Sequence, residues 1–484
     1  MMTSQLFAKK SISALVAEAS DTKHGLKRTL GPLNLTAMGV GAIVGAGFFV
    51  FIGQAAAMYS GPAVILSFVF AAIICIFSAL CYAEFASLIP IAGSAYSYAY
   101  ATLGEFTAWT IGWGLTLEYL FSATSIAIGW SGYFVSLLKD FGIIIPKYLC
   151  NAPLAYDTVT GWALTGCFIN LPTVIIIGLI GYLISVGVQT AALINNLMVL
   201  IKITVILLII ACGVAYVNWD NLQPFIPENT GVFGQFGWSG ILRGGGMVFF
   251  AFIGFDSVST LAQESRNPKR DLPIGMIGSL GISTLIYIVV AIILLGIVRF
   301  DQLGVYDPLA VVVNALGPKF IWLRYVIKIA ITASLSSGVL VMLLGQARIF
   351  YSMSMDGLLP KIFSKTHKKY KTPFFTSIFI SIIAMLLGGI FPVSILAQIT
   401  SMGALLAFVI VCFGILVLRR TQPDLHRPFR TPFVPWIPLL GMMTCMLQMV
   451  AMPSIIWVQL VGWMIIGYII YFFYGMRNSA LRAR

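Results

Sequence analysis

Apolar runs long enough to be helical membrane spans recur twelve times along the chain, separated by short polar breaks. A bilayer core about 30 Å thick takes about 20 residues of helix at 1.5 Å per residue. Hydropathy places the spans at 33–55, 63–88, 101–138, 171–188, 193–216, 241–264, 275–298, 320–350, 374–391, 394–418, 434–452 and 454–475. A transmembrane barrel would instead show alternating strands of about 10 residues, and no such pattern is present. The pattern predicts an all-α polytopic membrane protein made as one helical body.

Two spans break their own pattern. The first contains "GVGAIVGAGFFVFIG" (39–53) and the sixth "GGGMVFFAFIGFDS" (244–257), so glycines gather in the middle of helices meant to cross lipid. A glycine costs about 1 kcal/mol against alanine inside a helix and lets the backbone unwind. Unwinding in a membrane is tolerated where the freed backbone lines a cavity. Positions one and six correspond in a chain of two five-helix halves, which is the pattern of inverted-repeat transporters with broken helices at the bilayer midplane. The competing reading, glycines that only allow close helix packing, also fits "GAIVGAG". The expected organisation is a tail (1–32), a ten-helix core (33–418, in halves 33–216 and 241–418), a loop with helices eleven and twelve (419–475), and a second tail (476–484).

Composition agrees. Of 484 residues, 59% are hydrophobic and 9% charged, against about 25% charged in soluble domains. The net charge of +13 does not point to nucleic acid, because its distribution follows topology. Of 29 Lys and Arg, 21 fall on the side of the N-terminus, six on the other, and Lys202 and Lys328 within spans. The positive-inside rule then puts both termini in the cytoplasm of a cell-membrane protein. The basic clusters 361–373 and 419–432 are topology signals first and contacts for anionic membrane lipids second. Residues 1–32 carry no apolar core of a signal peptide.

Among the seven cysteines, Cys150 and Cys167 share one external loop and read either as a disulfide or as two thiols. The cysteines and the three histidines show no metal-ligand spacing. No metal and no other cofactor is expected, and no nucleophile–base pair suggests an enzyme.

Charges inside the spans are the sharpest candidates for function. Lys202 lies in "MVLIKITVILLII" (198–210), too far from either span end for easy snorkelling, where a charge costs roughly 2.5–3.5 kcal/mol on insertion scales. Glu118 in "LTLEYLF" and Asp256 after the sixth-span glycines are buried acids, read either as functional groups or as protonated carboxyls that satisfy a neighbouring helix. Arg243 either draws anions into an outer vestibule or caps the interface. Arg348, Asp356 and "ESRNPKRD" (264–271) are expected to make gate or loop salt bridges on the side of the termini.

The motifs "GAIVGAGFFV", "GWGLTLEYLFSATSIAIGWSGY", "NNLMVLIKI", "FFAFIGFDSVSTLAQESRNPKRDLPIG" and "LLGQARIFYSMSMDGLLP" together resemble the amino acid–polyamine–organocation superfamily, and within it the bacterial cationic amino acid transporter family, over about residues 25–475. The resemblance implies a LeuT-type fold of five plus five inverted helices and two more, amino acid transport, and in many members coupling to protons. It implies that Lys202 stands where sodium sits in sodium-driven relatives, with Gly41, Val44, Ser336 and Ser337 as neighbours. Burial and carbonyl neighbours together can poise such a lysine between its two protonation states.

The resemblance also implies that the substrate carboxylate meets backbone at Ile43, Ala46 and Gly47, and the amine meets carbonyls of Phe250, Ala251 and Ile253. Ala46 stands where relatives often have Ser or Thr, so one hydroxyl donor is lost. Leu335 on the eighth span is bulky and apolar, favouring small or medium neutral amino acids over cationic ones. Expected partners are the amino acid, protons and membrane lipids, with each chain acting as a monomer. Exchange, a non-transporting amino acid sensor and a channel are the alternatives.

Overall fold

The computed structural model describes residues 8–10, 30–89, 94–157, 160–186, 191–260, 265–367 and 372–481. Eight helices are long and apolar enough to cross a membrane, and four shorter apolar helices, Pro32–Ile43, Leu171–Val186, Phe374–Ile390 and Trp436–Ala451, fall at the other predicted spans. Phe51–Leu88 carries both the end of the first span and the whole of the second.

Boundaries moved where turn chemistry intervenes. The predicted third span (101–138) is two elements, Ser94–Thr102 and Glu105–Asp140. They part at Gly104, whose φ of +100° is a conformation that disfavours side-chain-bearing residues. The loop after the third span holds an antiparallel hairpin, Leu154–Asp157 with Gly161–Leu164, in register Leu154↔Leu164. Cys150 and Cys167 flank it as free thiols.

Packing follows a five-helix offset. The third span packs on the eighth, the fourth on the ninth and the second on the seventh, while the first packs on the seventh and the sixth on the second. Spans one, two, six and seven thus form one bundle, its centre filled by aromatic side chains such as Phe48, Phe68 and Phe252 around Tyr287.

The triple glycine corrects one reading. Gly244, Gly245 and Gly246 lie inside a regular helix, Gly237–Val248. A Cβ on Gly244 would fall 1.9 Å from Ser60 Oγ, and one on Gly245 2.8 Å from Gln448 Oε1. These glycines serve close packing, and the unwinding comes later, at Phe249–Asp256.

On the side of the termini, the fully buried Glu84 of the second span binds Arg419 through two hydrogen bonds of 2.9 and 2.8 Å, accepts the Thr431 N–H at 2.7 Å, and pairs with Arg427 Nε at 3.2 Å. This carboxylate holds the loop after the tenth span on the helix bundle. Removing one partner of such a buried network typically costs about 3–5 kcal/mol. Glu84→Ala should therefore lower the melting temperature in detergent, with Glu84→Gln in between; an unchanged melting curve would remove Glu84 from the list of stabilising residues.

Candidate functional site

The first span runs as a helix to Ile43, where Val44 turns extended (φ −72°, ψ 101°), and resumes as Ala46–Phe49. The sixth tightens to a 3₁₀ turn over Phe249–Phe252, extends at Ile253 (φ −60°, ψ 133°) and resumes at Ser257–Thr260. Between them stands Gly254, with φ +113° and a Cβ position 3.0 Å from the Ala42 carbonyl oxygen. Both the dihedral and the close approach require glycine there.

The breaks meet each other. A Cβ on Gly47 would lie 2.2 Å from Ala251 Cα and 2.5 Å from its nitrogen, so main chain touches main chain. The Tyr287 hydroxyl lies 3.1 Å from the Ile43 carbonyl oxygen and 2.7 Å from that of Ala251. Tyr133 donates to the Phe49 carbonyl at 2.8 Å. Ile43, Gly47, Phe250, Ala251 and Ile253 therefore come together at one place. Leu335 is buried in the eighth-span helix Ile321–Met355.

Lys202 is buried on the fifth-span helix Ala191–Gly213, and its Nζ donates to the Gly41 carbonyl at 3.2 Å. Gly41 makes the approach feasible: a Cβ there would meet Val199 at 2.4 Å. Val44 is buried one turn on. The Ser336 and Ser337 hydroxyls donate within their own helix, to Thr332 at 3.0 Å and Ser334 at 2.8 Å, which leaves their oxygens able to accept from another donor.

Glu118 and Asp256 are both buried, and one carboxyl oxygen of each has no hydrogen-bond partner among the described residues. Such atoms are costly to leave unpaired. Arg243 donates to the Ala451 carbonyl at 3.3 Å and lies 5.3 Å over the Phe233 ring, contacts of the interface-capping kind.

Toward the face away from the termini, a cavity of about 590 Å³ is lined by Gln54, Ser131, Ser136, Lys139, Tyr306 and Asp307 among others. Behind it Lys328, buried in the eighth span, pairs with Asp140 at 2.6 Å, and Arg324 reaches the same carboxylate at 3.4 Å. Burial raises the Asp307 carboxyl above its ordinary pKa, opposed by the Ser136 hydrogen bond and the Lys328 charge. On the opposite face Asp356 pairs with Lys10 at 2.5 Å and accepts from Tyr96 at 2.7 Å. Arg348 is exposed and makes no ion pair among the described residues. Asp271 accepts the Asn267 N–H at 3.0 Å, and Glu264 lies outside the described residues.

Tyr287 and the Asp140–Arg324–Lys328 cluster escaped the sequence reading. A lone tyrosine within "TLIYIVV" was the available signal, since a phenol in an apolar span seeks a partner.

A profile described as "Amino acid permease" matches residues 30–476. The chain belongs to the amino acid permease family. This permease is thus an integral membrane protein that takes an amino acid as substrate. It is 42% identical to the branched-chain amino acid permease BcaP of Bacillus subtilis (strain 168), over 99% of the permease and 100% of that relative. It is 38% identical to the methylthioribose transporter of the same organism, over 99% of each. Against the vacuolar cationic amino acid transporter 4 of Arabidopsis thaliana the identity is 33%, over 87% of the permease and 68% of the relative. The crystal structure of MhsT in complex with L-phenylalanine shares the fold, with TM-score 0.54 at 15% identity over 90% of the permease and 99% of that chain. The permease therefore has the LeuT-type architecture that its helix breaks implied.

Proposed function

We propose that this permease takes up neutral branched-chain and other small to medium L-amino acids by proton-coupled alternating access, with both termini in the cytoplasm. The observation that carries the reading is the backbone contact of the two helix breaks at Gly47 and Ala251, with Lys202 on the Gly41 carbonyl beside it.

Ala46 and Gly47 head the resumed helix, where N–H groups have no partner one turn earlier and suit a carboxylate. Carbonyls freed by the 3₁₀ turn at Phe250 and Ala251 suit an ammonium. A zwitterion is thereby read by main chain at both ends. The buried, apolar Leu335 suits an aliphatic side chain, since it offers no partner to an ammonium or guanidinium, whose burial unpaired is expensive. The 42% identity with a branched-chain permease supports the same class. Lys202 takes the coupling role: protonated, it binds the Gly41 carbonyl with the strength of a charge-assisted bond, and its deprotonation on the cytoplasmic side loosens the first span from the fifth. The net positive charge of the terminal face sets the orientation.

Uptake into proteoliposomes of labelled leucine, valine, alanine, lysine, arginine and methylthioribose, with and without an inward proton gradient, tests this. Gradient-stimulated accumulation of leucine and valine, outcompeting lysine and arginine, is the expected result. Preferred lysine uptake, or uptake that ignores the gradient and requires internal substrate, would sink the neutral-substrate or the symport reading respectively.

A further inference from the structure

Tyr287 is fully buried on the seventh span, its ring stacked on Phe48 (5.0 Å) and packed by Phe68 and Phe252. Its hydroxyl sits between two carbonyl oxygens, Ile43 at 3.1 Å and Ala251 at 2.7 Å. Ile43 is the last residue before the first-span break and Ala251 belongs to the 3₁₀ turn of the sixth. One hydroxyl proton can satisfy one carbonyl at a time. The arrangement is therefore short of one donor, and the group best suited to supply it is a cation with several N–H bonds.

We propose that Tyr287 is a positioning residue that stands in for the substrate ammonium when the site is empty, bridging the Ile43 and Ala251 carbonyls so that the unloaded carrier can close and reorient. The role rests on the transport reading above and deepens it. When substrate binds, its ammonium supplies the missing donor and shares the carbonyls with the phenol. When substrate leaves, the phenol alone keeps the two breaks tied. Without it, two buried carbonyls would face each other unpaired in the empty carrier, a state disfavoured by desolvation. The hydroxyl thus acts chiefly on the unloaded half of the cycle.

This makes Tyr287→Phe a selective lesion. The phenyl ring keeps its packing on Phe48, Phe68 and Phe252, and only the donor is lost. Loss of one such hydrogen bond from the empty state alone should slow net leucine uptake about tenfold and lower the KM for leucine several-fold, while leucine–leucine exchange, in which the carrier returns loaded, stays within about twofold. The measurement is net uptake, exchange and KM for labelled leucine in the same proteoliposomes, wild type beside Tyr287→Phe, with the thermal shift produced by leucine in detergent as a second readout. That shift should be larger in the variant, because its unliganded state is the one destabilised. Equal loss of exchange and net uptake, a raised KM, or a variant that does not assemble would each overturn the stand-in role and leave the hydroxyl a structural group. Wild-type protein that moves none of the amino acids would overturn the transport reading itself, and the stand-in role with it.

Discussion

Lys202→Ala is expected to abolish the response of leucine uptake to an inward proton gradient while leaving exchange measurable. The buried ammonium has one described hydrogen bond, to the Gly41 carbonyl at 3.2 Å, and that carbonyl lies half a turn before the first-span break. A hydrogen bond from a charged group contributes about 1.5–3 kcal/mol, which corresponds to roughly ten- to over a hundredfold in the balance between conformers. If protonation sets that balance, the alanine variant should accumulate leucine no further at an inward gradient than without one. Lys202→Met, which keeps the apolar stem and removes the charge, should behave alike. Accumulation by Lys202→Ala that still follows the gradient would move the coupling site elsewhere, with Glu118 and Asp256 next to be tested.

Gly47→Ala should abolish transport in a protein that still reaches the membrane. The added methyl would stand 2.2 Å from Ala251 Cα and 2.5 Å from its nitrogen, and neither atom can swing away as a flexible side-chain end would. Overpacking of this kind costs about 1–3 kcal/mol in stability, which a large helical core tolerates, but the breaks must separate and the spacing of their polar groups is lost. Gly114→Ala is the control, because a Cβ there has only Leu406 Cδ2 at 4.0 Å; uptake should persist. Similar activity in the two variants would show that the breaks do not need to touch. Positioning errors near 1 Å are enough to disable a site that depends on alignment.

The twelve spans were legible because hydropathy over about 20 residues integrates many side chains. Details that rest on one or two residues were not. The third-span start was misplaced by the helix Ser94–Thr102, whose end is set by the backbone of Gly104. The glycines of the sixth span carry two roles that composition cannot separate: Gly244 makes room for Ser60, while Gly254 adopts a positive φ against Ala42. Lys202 stood out because burying a charge is expensive, and the same reasoning applied to Lys328 would have sought Asp140, 188 residues away. Tyr287 was silent because a tyrosine in an apolar span is common until its hydroxyl is seen between two carbonyls of distant segments. The main-chain breaks themselves could be expected from glycine placement, but their mutual contact is a tertiary fact.

The contact of Gly47 with Ala251 has a consequence for how such a protein diverges. Main-chain N–H and C=O groups are present whatever the side chains are, so point mutation cannot delete the groups suited to the α-amino and α-carboxyl ends of a substrate; it can only block or misalign them. Variation is free instead at positions such as Leu335, which meet the part of the substrate that differs from one amino acid to another. A lineage built this way can exchange cargo through a handful of pocket substitutions while its grip on the common core stays inherited. Relatives named for branched-chain and for cationic amino acids at 42% and 33% identity are the spread that such a division of labour permits.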